Sequence, residues 1–394
     1  MNENVKKIIT LLYKKGPLSK HELAQYGEMG WATVVKFINR LLKEGIIECV
    51  GTSPRIEQKG KNAYIYNLSD SKPLAIGIDI EYSTTTIILA NLKGEIFSEE
   101  TAKTPENPNQ RQLSDFLYTL ISKFMKKNVS NPNNVVGIGI GIPGIGIPSW
   151  IEQSGDNFVD ISNYLKSKFG VNVVLEINTR AYTMFEKWDK RIFSQDDFLF
   201  LSIRTGVGTG IFIKDKLFTG YQGLAGELGH FNVVKNGIQC RCGKKGCLET
   251  EVNQFRLYQK YIEDVIGKQS TSIKPSLKEV YEGLSNLFSL AKKGHHAALK
   301  IITQTSEYLG YVLSHAIMVL NVPSVIISGH FGSDGNVILP ILKKAISKNI
   351  LSKINFNLEY YPFDIRGHTL GSALLILRDF LTAFHIKDKK SRIM

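Results

Sequence analysis

The chain has 394 residues, 43% of them hydrophobic and 22% charged, the balance of a globular protein with room for two or three domains. No apolar run approaches the roughly 18 residues that span a bilayer, the opening MNENVKKIITLLYKKG lacks a secretory signal's apolar core and cleavage site, and four cysteines exclude a disulfide scaffold, which places the chain in the cytoplasm, away from membranes. The formal charge of +13 suggests a nucleic-acid partner without proving it.

Residues 1–67 carry more than their share of that charge, with nine Lys and two Arg against six Glu and no Asp, a balance of +5. NVKKIITLLYKK sets apolar side chains at helical spacing. Ser19 followed by Glu22 is a capping box that opens a second helix with Leu23 and Ala24 facing inward. Gly27 to Gly30 form a turn, and a third helix runs from about Trp31 to Lys43, its apolar face made by Val34, Ile38, Leu41 and Leu42, with Gly45 ending it. Two helices joined by a short glycine turn are a helix-turn-helix. IIECVGTSPRIEQKGKNAYIYNL then predicts two strands around a basic loop, a wing.

The outer face of the third helix offers Thr33, Lys36, Asn39 and Arg40, side chains that reach base edges or phosphates in a major groove. Trp31 belongs either to that face or to the core. Arg55, Lys59 and Lys61 in the wing are placed for phosphates or a minor groove. The partner is double-stranded DNA; a protein-interaction module is the alternative. Cys49, near the wing, is assigned to the core as a small apolar residue.

After a short linker, Ser69 to Pro73, strands alternate with helices, as in an α/β domain. LAIGIDIEYSTTTIILANLKGEI is a hairpin with Asp79 ending its first strand. VVGIGIGIPGIG is a buried strand entering a glycine turn, VNVVLEINTRAYTMFEKW is strand, polar turn and helix, and SVIISGHFGS is a strand entering another glycine turn. Helices lie near 111–127 and 297–320. The second hairpin, FLFLSIRTGVGTGIFIKDKLFTG, opens like the first and hints at a duplicated plan of two lobes. Glycine turns after strands can cradle phosphates, and are equally common as plain punctuation.

GELGHFNVVKNGIQCRCGKKGCLET holds Cys240, Cys242 and Cys247, with His230 ten residues upstream. Thiolates and imidazole are the usual ligands of structural zinc, and four of them close a tetrahedral site. Glycines at 237, 243 and 246 let the backbone turn tightly enough to aim several sulfurs at one point. Three buried free thiols or a redox switch are the alternatives, which the polar, glycine-rich setting disfavours.

A winged helix, a strand ending in Asp79, GIGIPG, GVGTGIFI, GELGH, CRCGKKGCLE and VIISG, in that order, resemble the ROK family of repressors, open reading frames and sugar kinases over nearly the whole chain. The resemblance implies a two-lobed actin-like, ribonuclease-H-like ATPase-type domain after the winged helix: winged helix 1–70, first lobe 71–190 with a returning C-terminal helix near 370–386, and second lobe 191–369 with the zinc site and dimerisation helices. It implies that His230, Cys240, Cys242 and Cys247 hold zinc, and that Glu227, His230 and Glu249 lie near a sugar's hydroxyls. Kinases of the family carry E-N-D-A-N-A-A; here Glu176-Ile177-Asn178-Thr179-Arg180-Ala181 puts Asn178 where the base stands. An amide cannot take a proton near neutral pH, so Asn178 is kept as a sugar contact only. The first phosphate loop, D-I-G-G-T in kinases, reads Asp79-Ile80-Glu81-Tyr82-Ser83, where Glu repels and Tyr crowds a phosphate. The expectation is a non-enzymatic, sugar-responsive repressor. It binds a palindromic operator as a homodimer, or as a tetramer, and releases it when a sugar or sugar phosphate enters the cleft between lobes. A sugar kinase with a DNA-binding domain is the alternative.

Overall fold

Short-range signals build the N-terminal module. The computed structural model describes residues 2–53, 62–81, 83–106, 108–143, 157–188, 193, 195–269 and 275–390. Helix α1, Glu3–Lys15, buries Val5, Ile8, Ile9 and Leu12. A two-residue strand β1, Leu18–Ser19, leads into α2, Lys20–Gly27, which opens on the expected capping box: the Ser19 hydroxyl accepts from the Glu22 amide, and Glu22 accepts from the Ser19 amide. Helix α3, Trp31–Lys43, buries Val34, Phe37, Ile38 and Leu41; Phe37, not Leu42, completes the apolar face, because position 37 lies a turn before Leu41 on the same stripe. Gly45, at φ 71°, takes the left-handed conformation beyond the helix. Strands β2, Ile47–Ser53, and β3, Ala63–Leu68, pair antiparallel in a small sheet of order β1-β3-β2. Residues 54–61 between them fall outside the described ones.

Two readings are decided here. Trp31 is 58% exposed, so it lies on the outer face of α3 and not in the core. Cys49 is also exposed: β2 is an edge strand with a register break between Cys49 and Gly51, and little packs over its outer face.

The described residues fall into two compact units, one holding those up to 193 together with those from 366 onward, the other those between 195 and 365. The first contains, after the winged helix, strands β4, Leu74–Ile80, β5, Thr84–Asn91, β6, Ile96–Lys103, β7, Val135–Ile142, and β8, Asn172–Ile177, with helices α4, Gln110–Asn128, α5, Asn157–Phe169, and α6, Asn178–Lys187. Their sheet has the order β6-β5-β4-β7-β8, with the hairpin strands antiparallel and β4, β7 and β8 parallel. The alternation VVGIGIGI explains both faces of β7. Ile138 and Ile140 pack with Ile76, Ile78 and the Leu117 and Phe124 of α4, each full burial contributing about 2 kcal/mol. The glycines leave the other face flat for α12: a Cβ at Gly139 would lie 1.9 Å from the Ser372 carbonyl oxygen. No polar turn separates β8 from α6; Asn178 is already the first helical residue, after Ile177 as cap.

The second unit repeats the plan. Strands β9, Phe198–Ile203, β10, Val207–Ile213, β11, Lys216–Leu217, β12, Ser324–Gly329, and β13, Asn357–Pro362, form a sheet of order β11-β10-β9-β12-β13 with the same pattern of antiparallel hairpin and parallel strands. Helices α7, Leu248–Val252, α8, Gln254–Lys260, α9, Leu277–Lys292, α10, His296–Leu320, and α11, Ile338–Ser347, accompany it, and Leu287, Phe288, Leu309, Leu313 and Ile327 lie in its core. The last helix, α12, Gly367–Lys390, packs on β4, β5 and β7 of the first unit. The two sheets bear out the duplication that the similar hairpin openings suggested. No helix among the described residues is long and apolar enough to cross a membrane.

Candidate metal centre and effector site

The four residues His230, Cys240, Cys242 and Cys247 come from the loop between β11 and α7, which holds its shape through backbone pairing. Asn232 bridges to Cys247 and Gln239 to Lys245, and the Asn232 side-chain amide donates to the Lys245 carbonyl at 2.6 Å. Gly246 sits at φ 70° where a Cβ would fall 1.8 Å from the Val234 oxygen, so only glycine permits the crossing that delivers Cys247. The ligand atoms of all four residues lie within 4.8 Å of one another. His230 Nδ1 is 3.6 Å from Cys240 Sγ, and Cys242 Sγ is 3.6 Å from Cys247 Sγ.

Cys240 and Cys247 are buried. Burial, with the neighbouring sulfurs, pushes the Cys247 thiol up to about 12. Such a sulfur ionises only beside added positive charge, as a coordinated cation supplies. The cluster is therefore compatible with a metal ion.

His230 presents its two nitrogens differently. Nδ1 faces Cys240, while Nε2 lies 3.9 Å from Glu227 Oε2. Glu227 caps the single 3-10 turn Leu228–His230, so one turn of backbone fixes both side chains. Glu249, the second residue of α7, is buried and fully engaged: Oε2 accepts from the Val207 amide at 3.1 Å and from Arg241 Nη2 at 3.3 Å, and Oε1 meets Arg241 Nε at 3.1 Å. Gly206 makes room, since a Cβ there would come 2.5 Å from Glu249 Oε2. Arg241, between two of the cysteines, escaped the reading of the sequence; its charge inside C-x-C was the available signal.

Asn178 lies in the other unit, half-buried at the start of α6. On α3, Lys36 and Asn39 are exposed and Thr33 and Arg40 half-buried, with Lys20 Nζ donating to Asn39 Oδ1 at 3.4 Å. Arg55, Lys59 and Lys61 lie outside the described residues.

A second group surrounds Asp79. Its side chain is buried, with Oδ2 3.5 Å from His368 Nδ1 at the start of α12, and the His368 ring stands edge-on to Tyr182 at 5.1 Å. Ligand atoms of Asp79, Glu81 and His368 lie within 4.8 Å of one another. Nothing in the sequence signalled His368, which is nearly 290 positions away from Asp79.

Known proteins with these features are repressors and kinases. A xylose repressor from Caldicellulosiruptor bescii is 27% identical over 378 residues, 93% of each chain. The transcriptional dual regulator NagC of Escherichia coli is 24% identical over 380 residues, 95% of this chain and 92% of its own. Among solved structures, a ROK family transcriptional regulator, homologous to the E. coli MLC protein, superposes with a TM-score of 0.74 at 21% identity over 98% of both chains. A ROK family glucokinase from Streptomyces griseus, in complex with glucose and AMPPNP, reaches 0.55 at 20% identity over 77% of this chain and 98% of its own. Residues 75–373 match the ROK family itself, and the chain belongs to that family.

Proposed function

We propose that the protein is a sugar-responsive transcriptional repressor that binds a palindromic operator as a homodimer and releases it on binding a sugar or sugar phosphate. The observation that carries this reading is the pairing of a winged helix with the ROK fold. The match to repressors runs over more than nine-tenths of their length, whereas the glucokinase covers 77% of this chain. Lys36, Asn39, Thr33 and Arg40 on α3 would meet the major groove, with Arg55, Lys59 and Lys61 on the backbone.

Zinc suits the Cys/His cluster. Thiolate bonds of about 2.3 Å and an imidazole bond of about 2.0 Å set tetrahedral ligand atoms roughly 3.5–3.8 Å apart, and two of the edges measure 3.6 Å. Three thiolates and one imidazole leave no open position, so the metal when bound supplies charge and rigidity. The chain's own residues do the recognition. With Nδ1 on the metal, Nε2 of His230 would carry the ring proton and serve as a donor beside the Glu227 acceptor. A donor and an acceptor at that spacing suit adjacent sugar hydroxyls. Glu249 holds the loop to β10 through Val207 and Arg241, and Asn178 is kept as a further candidate sugar contact. Sugar binding stabilises one conformation over another, and operator affinity follows from that differential affinity.

The proposed protein is not an enzyme. Asn178 stands where a base is needed, Glu81 and Tyr82 replace the phosphate-loop glycines, and Asp79 is met by its own chain's His368. The test is a thermal-shift screen of the metal-loaded protein against sugars and sugar phosphates, with and without ATP, followed by operator binding by fluorescence anisotropy. A sugar that raises the transition and weakens operator binding, with no response to ATP, supports repression. ATP-dependent phosphorylation of a sugar in the same wells would establish the kinase instead.

A further inference from the structure

Trp31 is the first residue of α3 and 58% exposed. Tryptophan buries 150–250 Å² when it can, so an indole left in water at this position needs a reason. Local geometry keeps it there. Met29, before the Gly30 cap, and Val34, in the first turn of α3, are both buried and occupy the two positions of a hydrophobic staple. Met29 in turn lies over Gly27, where a Cβ would come 2.5 Å from its Cε. The turn between α2 and α3 is thus pinned by its inward side chains, and α3 cannot roll to tuck Trp31 away. Trp31 shares the i, i+4, i+8 ridge with Val35 and exposed Asn39, and Lys36 is exposed beside it.

In a helix-turn-helix the first turn of the second helix approaches the base edges. An indole offers a broad apolar face, one N–H donor and no acceptor. Among the groups on major-groove edges only the thymine C5-methyl is apolar. Exposed Lys36 and Asn39 share the outer surface of α3 with the tryptophan, which fits a phosphate-bearing surface better than an apolar protein groove. Building on the DNA-binding reading above, we propose that Trp31 is a specificity-determining residue that covers the methyl group of a thymine in each half-site of the operator.

The experiment uses the full-length, metal-loaded protein. Duplexes are selected from a random-sequence library, and a bound duplex is resynthesised with deoxyuridine replacing each thymine in turn, which deletes one methyl and nothing else. Affinities are measured by fluorescence anisotropy. With the native protein, one replacement per half-site weakens binding about fourfold, the burial of a single methyl group. Trp31→Ala weakens binding to the unmodified duplex about tenfold, is indifferent to the same deoxyuridine, and leaves the salt dependence unchanged because no charge is lost. Trp31→Phe recovers part of the discrimination. If Trp31→Ala, folded by its melting temperature, binds as the native protein does, or loses affinity equally for thymine and deoxyuridine duplexes, the proposal fails while DNA binding stands. If the native protein selects no duplex, both readings fall.

Discussion

The loop after β4 and the loop between β11 and α7 belong to two sheets of the same topology, and the chain builds them in opposite ways. In the first, Glu81 follows Ile80, and the Asp79 carboxylate faces His368, which is backed by Tyr182. In the second, His230 and three cysteines converge: four ligand atoms within 4.8 Å, with Glu227 beside the outward nitrogen of His230. A site that stops handling a charged ligand leaves buried polar groups behind, and the chain must meet them with its own side chains or bear the desolvation.

The sharpest way to break this contrast is to remove a candidate ligand. Under the zinc reading proposed above, Cys242→Ser deletes a ligand at the half-buried edge of the cluster, and the loop loses the charge that would let Cys247 ionise. Metal content should fall from one equivalent to none, the protein should lose about 4 kcal/mol, roughly 10 °C in melting temperature, and the sugar response should vanish. A variant that keeps its metal and its melting temperature would show that the four residues are merely neighbours. Conservative changes at Asp79, such as Asp79→Asn, should leave metal content untouched.

Glu249→Gln comes next. The amide keeps the shape of the carboxylate but gives up the charged pairing with Arg241 and weakens acceptance from the Val207 amide, at a cost of about 2–3 kcal/mol. Chemical denaturation measures the loss. Should stability hold while sugar affinity falls, Glu249 works on the ligand and not as the strut between loop and strand.

Much of this contrast was legible in the sequence, because it is written in local signals. The capping box at Ser19 and Glu22, the Ile/Gly alternation of β7 and the spacing of Cys240, Cys242 and Cys247 each act within a few residues, and His230 and the three cysteines do come together. What stayed hidden depends on distant partners or on edges. His368 meets Asp79 only because α12 returns to β4, Phe37 displaces Leu42 by a rotation of one stripe, and Cys49 is exposed because β2 has no neighbour on its outer side. No periodicity in the chain encodes which strand ends at an edge.

The turn after β12 gives the pH prediction. His330 stacks on Tyr281 at 3.6 Å and lies 4.5 Å from Phe363. Burial, then the charge of Arg204, lowers its pKa to about 4. In the unfolded chain it titrates near 6.5. Above that pH neither state takes the proton. Between 6.5 and 4 the unfolded state binds it and the folded state does not, so stability falls as pH falls through this window. The loss is about 2 kcal/mol after allowing for solvent screening at a partly exposed ring. His330→Gln removes the titration, and the difference between the two proteins cancels acid effects on the metal ligands. Equal slopes in both would mean that the aromatic box leaves the imidazole open to protons.

The smallest effect expected is the one that ties α6 to the winged helix. Helix α6 begins at Asn178 and ends against Trp188, whose carbonyl accepts a hydrogen bond from the Tyr13 hydroxyl of α1. The Tyr13 ring stacks on Phe193 at 4.6 Å, and the Trp188 indole donates to the Leu92 carbonyl at 2.9 Å. Ten residues of helix, about 15 Å, therefore join the proposed sugar contact to the winged helix. Tyr13→Phe keeps the stacking and removes one hydrogen bond, about 1 kcal/mol. Because that bond sits at the joint, its loss should change the ratio of operator affinities with and without sugar by a few-fold, and the melting temperature by only a few degrees. An unaltered ratio with a lowered melting temperature would make Tyr13 a packing residue. The signal between the two ends would then have to travel along the other contacts that α6 makes with α12.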